Sequence, residues 1–225
     1  MENTPSPRAT PPKLAIILGI AAIALGGAVA FGVMRNAANT KVAALPGNCN
    51  SRAFTEIGGP FTLTTQDNVV VTEKSFLGKP TLVYFGFTYC PDICPMSLQT
   101  MRLALDEART AGGRNIDAIQ PLLISIDPER DTPASLKTYV KSNGFPEHLI
   151  GLTGSVQQIT EAAKVFKVAF RKSVLEGSPA KDYVMDHTSI IYLLGRDGKL
   201  RTFFSGDPDP KDMGTCIAAL SKAGL

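Results

Sequence analysis

From Thr81 to Phe87 the chain reads Thr-Leu-Val-Tyr-Phe-Gly-Phe, an apolar run without a charge. Gly78-Lys79-Pro80 breaks the chain just ahead of it, and Tyr89-Cys90-Pro91-Asp92-Ile93-Cys94-Pro95 follows. A continuous apolar run of strand length is the profile of a strand covered on both faces. Such strands belong to sheets with crossover helices, so this run points to an α/β architecture. It also delivers two cysteines to the place where α/β sheets bind ligands, beyond the carboxyl end of a strand and at the N-terminus of the next helix.

The patterns on either side agree. Phe61-Thr62-Leu63-Thr64 alternates apolar and polar, Asp67-Asn68 signals a turn, and Val69-Val70-Val71-Thr72 returns as the second arm of a hairpin. Leu98, Met101, Leu105 and Ala108 predict a helix from about Pro95 to Ala111. Leu122-Leu123-Ile124-Ser125-Ile126 reads as a second buried strand. Thr132-Pro133 is an N-cap with proline at the first helical position, opening a helix through Leu136, Tyr139 and Val140. Ser155 and Gln158 fit a capping box for another helix, through Ile159, Ala162, Ala163 and Phe166. Val168-Ala169-Phe170 and Ser189 to Leu194 read as strands, and Arg196-Asp197-Gly198-Lys199 turns into a strand from Leu200 to Phe204. Pro210 to Ala223 forms a terminal helix through Met213, Ile217 and Leu220. This order yields one α/β domain with a mixed central sheet and helices on both faces.

At 225 residues and 44% hydrophobic content, the chain can bury one core of about 170 residues once its N-terminus is set aside. Residues 1–13 are polar and proline-rich and read as a disordered tail. Residues 14–34 carry no charge and are bracketed by Lys13 and Arg35. As a helix they would span roughly 31 Å, about the hydrocarbon thickness of a bilayer, so they read as a transmembrane anchor. Ala28-Val29-Ala30 also satisfies a cleavage rule, but the apolar stretch is long for a signal peptide, and a retained anchor is the better reading. Arg8 and Lys13 on one side nearly balance Arg35 and Lys41 on the other, which leaves orientation open. Residues 35–51 form a linker, and residues 52–225 form the folded domain. The net charge of +3 is scattered, with no basic cluster interleaved with aromatics, which excludes a nucleic-acid partner.

Four cysteines are too few for a disulfide scaffold of this size. Cys90 and Cys94 instead read as a redox or soft-metal pair. A helix N-terminus lowers a thiol's pKa, and the thiolate is both the nucleophile and the metal ligand. Dithiol oxidoreductases of the thioredoxin type usually place two residues between their cysteines, with an aromatic (often Trp) just ahead; here there are three and no Trp in the chain. His187, in Asp186-His187-Thr188, opens the apolar strand that follows, in a loop able to lie over the cysteine turn. Two thiolates and one imidazole make a soft three-coordinate site suited to Cu(I) or zinc, and a structural zinc would want a fourth ligand. Met96 and Met185 are near enough in sequence to be axial candidates, though core packing is the plainer reading, and His148 reads as a surface loop residue. Asp186 is a candidate hydrogen-bond acceptor for the imidazole. Cys49 and Cys216 either pair, pinning the linker to the terminal helix, or stay a free and a buried thiol.

Three segments in order resemble the successive signatures of the SCO/SenC copper-chaperone family: Cys90-Pro91-Asp92-Ile93-Cys94-Pro95, Ser125-Ile126-Asp127-Pro128-Glu129-Arg130-Asp131-Thr132-Pro133, and Asp186-His187-Thr188. Gly58-Gly59-Pro60-Phe61-Thr62-Leu63 and Gly78-Lys79-Pro80 match its pattern as well, and the likeness covers about residues 52 to 222. The resemblance implies a thioredoxin-like fold held by one N-terminal transmembrane helix, on the periplasmic or mitochondrial intermembrane-space side. It implies copper, as Cu(I) with Cu(II) the other candidate state, bound by Cys90, Cys94 and His187. The partners it implies are cytochrome c oxidase subunit II or a similar copper-accepting protein, other copper chaperones and thiol reductants. Cys49 and Cys216 lie outside the family motif.

A second class of function uses the same pair. As a thiol-disulfide oxidoreductase, Cys90 would be the attacking thiol and Cys94 the resolving one, forming a disulfide when oxidised. The two readings part at His187, which dithiol exchange does not need.

Overall fold

The computed structural model describes Cys49, residues 56–174 and residues 183–225. The expected tail, the anchor at 14–34 and the linker apart from Cys49 lie outside the described residues. Among the described residues, no helix is long and apolar enough to cross a membrane.

In chain order the elements are β1 (Thr62–Thr65), β2 (Val70–Thr72), β3 (Thr81–Gly86), α1 (Ile93–Thr110), β4 (Gln120–Ser125), α2 (Pro133–Tyr139), β5 (Ile150–Thr153), α3 (Val156–Phe166), β6 (Phe170–Val174), β7 (Tyr183–His187), β8 (Ile190–Leu194), β9 (Leu200–Ser205) and α4 (Pro210–Lys222). The main sheet runs β2-β1-β5-β4-β3-β8-β9. β3, β4 and β5 are parallel, and the outer strands join them antiparallel. β6 and β7 form a separate two-stranded ribbon.

β3 is buried at every residue, as its uninterrupted apolar sequence requires. Its side chains alternate between the two faces of the sheet. Tyr84 and Gly86 point to α1, where both approach Cys94. Phe85 points the other way and meets Phe166 of α3 at a ring separation of 5.3 Å. The Phe166 ring in turn lies 5.5 Å from that of Tyr192. Helices therefore cover both faces, and each large side chain buried between them contributes about 1.5–3 kcal/mol.

The helix starts follow their capping chemistry. Thr132 Oγ1 accepts from the Ser135 amide ahead of α2, and Ser155 and Gln158 form the reciprocal box that opens α3. Asp209 accepts from the amides of Lys211 and Asp212 at the start of α4. α4 packs against α1 so closely that a Cβ on Gly214 would stand 2.6 Å from the Ala104 carbonyl oxygen. Cys216 of α4 is disulfide-bonded to Cys49 with Cα atoms 5.4 Å apart, which settles the alternatives left by the sequence in favour of pairing.

β6 covers Phe170–Val174, where the sequence suggests a strand over Val168 to Phe170, and two further features depart from the sequence reading. β5 is absent from it, because Gly151 and Gly154 interrupt the apolar pattern of 149–153. Gly151 is there for contact: a Cβ would sit 3.0 Å from Val140 Cγ1 and 3.2 Å from Leu136 Cβ of α2. The second departure is β7. His187 ends this strand, rather than lying in a loop at the start of β8.

Candidate functional site

α1 begins at Ile93, two residues earlier than Pro95 suggests, with Asp92 at the N-cap. Pro95 is tolerated in the first turn because amides there have no intrahelical acceptor to lose. Cys90 thus sits in the turn before the helix and Cys94 in its first turn. Both thiols are free; Cys90 is half-buried and Cys94 has no exposed surface. The Cys94 amide donates to Cys90 Sγ at 3.3 Å.

This asymmetry separates the two thiols. The hydrogen bond from the Cys94 side chain, with further bonds from the amides of Cys94, Asp92 and Ile93, outweighs burial and pushes the Cys90 thiol down to about 6. Cys94 moves upward, because its proton is held in the bond to Cys90 and burial penalises its thiolate. Tyr84 Oη lies 3.7 Å from Cys94 Sγ and 3.4 Å from Ser189 Oγ, bridging α1 to the start of β8.

His187 comes to this pair from 93 residues away, with Nε2 3.8 Å from Cys94 Sγ. Its Nδ1 lies 3.0 Å from the Thr188 carbonyl oxygen. A carbonyl only accepts, so Nδ1 carries the proton and Nε2 presents a lone pair to the sulfur. Burial lowers the imidazole pKa and favours this neutral form. The rings of Tyr84 and Phe87 flank it nearly edge-on, at 6.2 and 6.1 Å.

Other sequence candidates fall outside the site. Asp186 does not support the imidazole; its carboxylate accepts from Arg171 Nε at 2.9 Å and Ser173 Oγ at 2.8 Å. Neighbours along a strand point to opposite faces, so residues 186 and 187 cannot aim at one target. Met96, expected in the core, is 44% exposed on the first turn of α1, while Met185 packs against the core. His148 is an exposed loop residue, as expected. Among the described residues, no three His, Cys, Asp or Glu side chains form a ready-made metal cage. The Cys94 and His187 donors are in contact, and the Cys90 sulfur is engaged by the Cys94 amide.

Two features escaped the sequence reading. A Cβ on Gly86 would stand 2.8 Å from Tyr84 Cε1 and 3.0 Å from Cys94 Sγ, so only glycine lets the buried sulfur come so near the strand. A glycine inside an otherwise apolar strand was the available signal. The second is the bonding made by the segment from Asp127 to Asp131, which the sequence marks as a family signature and a loop flanking the site but to which it assigns no chemical role. Asp131, fully buried, accepts from the Thr88 amide at 3.1 Å, from Thr88 Oγ1 at 2.5 Å and from Ser125 Oγ at 2.6 Å. Asp127 pairs with Arg130 and accepts from Tyr183 Oη at 2.6 Å.

With this geometry in view, the comparisons with known proteins are consistent. Residues 50–222 match the SCO1/SenC family model. The human mitochondrial SCO1 homolog is 38% identical over 162 residues, covering 72% of this chain and 52% of the relative, so the match spans about half the length of that protein. The structure of Bradyrhizobium japonicum ScoI with copper bound shares 40% identity at a TM-score of 0.62, covering 75% of this chain and 99% of the other. Yeast Sco1 with copper bound shares 34% identity at a TM-score of 0.66, covering 76% of this chain and 91% of the other.

Proposed function

This chain belongs to the SCO1/SenC family, and on that premise we propose that it is a copper-binding metallochaperone serving assembly of the binuclear copper centre of cytochrome c oxidase. The observation that carries the reading is the meeting of Cys94 Sγ with His187 Nε2 at 3.8 Å beside a second free thiol. The copper bound by the Bradyrhizobium and yeast relatives favours copper over zinc. Thiolates and imidazole are donors that select Cu(I).

In this reading Cys90, Cys94 and His187 are the ligands and copper is cargo. Cys90 is poised as a thiolate near neutral pH. Cys94 gives up its proton on metal binding, and His187 offers Nε2 without losing one. The Cys90 sulfur turns from the Cys94 amide to complete the set, and the remaining side stays open for ligand exchange with thiolates of an acceptor such as subunit II. The buried Cys49–Cys216 disulfide supports an oxidising compartment, periplasm or intermembrane space, with residues 14–34 as the membrane anchor.

The asymmetry of the thiols favours a second reading, thiol-disulfide oxidoreductase. The Cys90 thiolate attacks an acceptor disulfide, releasing one acceptor thiolate and forming a mixed disulfide. Cys94, as its thiolate, then displaces the second. Two electrons pass to the acceptor, leaving a Cys90–Cys94 disulfide for an external dithiol to reduce. Copper stoichiometry of the reduced protein, measured beside His187→Ala, decides between the two. About one copper per chain, bound far more weakly in the variant whose dithiol exchange is intact, supports the chaperone. Weak copper binding with equal exchange by both proteins supports the oxidoreductase.

A further inference from the structure

His187 lies just outside the main sheet, joined to β8 through Thr188 and Ser189. It sits at the end of β7, in a ribbon whose ladder joins only β6 and β7. That link to β8 holds the near end of the ribbon, Phe170 and Met185 pack against the core, and further contacts hold its far end. At the opposite end of β7, Tyr183 is buried and doubly tied. Its hydroxyl donates to Asp127 Oδ1 at 2.6 Å, and its carbonyl accepts from Arg130 Nη1 at 3.0 Å. The Arg130 guanidinium lies 3.7 Å from the centre of its ring, and Lys172 of β6, bound to Glu129 at 2.7 Å, lies 3.9 Å from the same ring.

The same segment holds the cysteine loop. Asp131 takes both Thr88 donors, and Arg130 is 4.7 Å from the Tyr89 ring, immediately before Cys90. Four residues of one short segment, Asp127, Glu129, Arg130 and Asp131, therefore grip both ligand-bearing pieces of chain. We propose that Asp127 and Arg130 are positioning residues that, through Tyr183, set His187 over Cys94 and so determine copper affinity without touching the metal. The proposal rests on His187 being a copper ligand.

The test is a double-mutant cycle on the full chain, with Cu(I) affinity read by competition against a Cu(I) chelator. Tyr183→Phe keeps the ring and removes only the bond to Asp127; Arg130→Lys keeps the charge and removes the fork. Each should weaken copper roughly tenfold, as loss of outer-shell support does elsewhere, and neither should weaken it further in a His187→Ala background. In the metal-free protein, Tyr183→Phe should shift or broaden the ring resonances of His187 and leave those of His148, the other histidine of the chain, unchanged. Unchanged affinity and an unchanged His187 spectrum overturn the proposal. Equal losses in both backgrounds overturn it as well, because the variants would then act on stability at large. If His187→Ala itself leaves copper affinity intact, the ligand assignment fails first, and the proposal with it.

Discussion

Gly86 and Cys94 approach so closely that a Cβ on the glycine would lie 3.0 Å from the cysteine sulfur. The same Cβ would meet Tyr84 Cε1 at 2.8 Å and Leu123 Cδ1 at 3.3 Å, and both of these side chains are buried. Gly86→Ala must therefore displace Tyr84, Cys94 or both. Overpacking of this kind costs about 1–3 kcal/mol, which a urea unfolding midpoint would read. A midpoint unmoved from wild type would mean that the strand and helix part without strain.

The depressed pKa of Cys90 sets a pH profile. The thiolate is the reactive form, so the alkylation rate of the native reduced protein should be half-maximal near pH 6. It should level off above that and fall as pH drops through it. The chief cause is the hydrogen bond from Cys94. Cys94→Ala should thus move the midpoint upward, toward the ordinary thiol value of about 8.5. A wild-type midpoint already at the ordinary value would contradict the geometry.

With Cys49 and Cys216 bonded, the non-reduced denatured protein should show thiols at two of its four cysteines, Cys90 and Cys94. The bonded pair is 3% and 0% exposed, so mild reductants should leave it intact in the native protein. Cys49→Ser should lower stability by about 2–5 kcal/mol. Its Cys90 alkylation profile should match wild type, because the disulfide touches α4 and not the cysteine loop. Four titratable thiols before reduction would refute the pairing.

Burial pushes the Asp131 carboxyl upward, yet three donors from Thr88 and Ser125 converge on it. Asp131→Ala strands those donors at a cost of about 1–3 kcal/mol. Hydrogen exchange at the Thr88 amide should accelerate more than at the centre of β3. Uniform acceleration across the domain would show that Asp131 stabilises the fold without specially holding the cysteine loop.

Much of the architecture was open to reading because its signals are local. The capping box at Ser155 and Gln158, the Thr132-Pro133 start, the Asp67-Asn68 turn and the charge-free run of β3 each declare their element within a few residues. β6 and β7 declare nothing of the kind. Arg171-Lys172-Ser173 and Asp186 look like loop because most of the ribbon faces water, and only pairing across the two segments makes them strands. Asp186 misled for a related reason, since adjacency in sequence means opposite faces in a strand.

The sequence by itself determined the parts: a strand that had to be buried, two thiols at a helix N-terminus, a histidine before an apolar run, and the order that aligns them with a family. Those follow from hydrophobic period and from backbone preferences that act over a few residues. Only the tertiary structure decided the relations among them. The 3.8 Å contact of Cys94 with His187, the grip of residues 127–131 on both Thr88 and Tyr183, and the Cys49–Cys216 bond join residues from 43 to 167 positions apart. Such contacts depend on how the ribbon and helices pack against the sheet, and no local propensity encodes that packing.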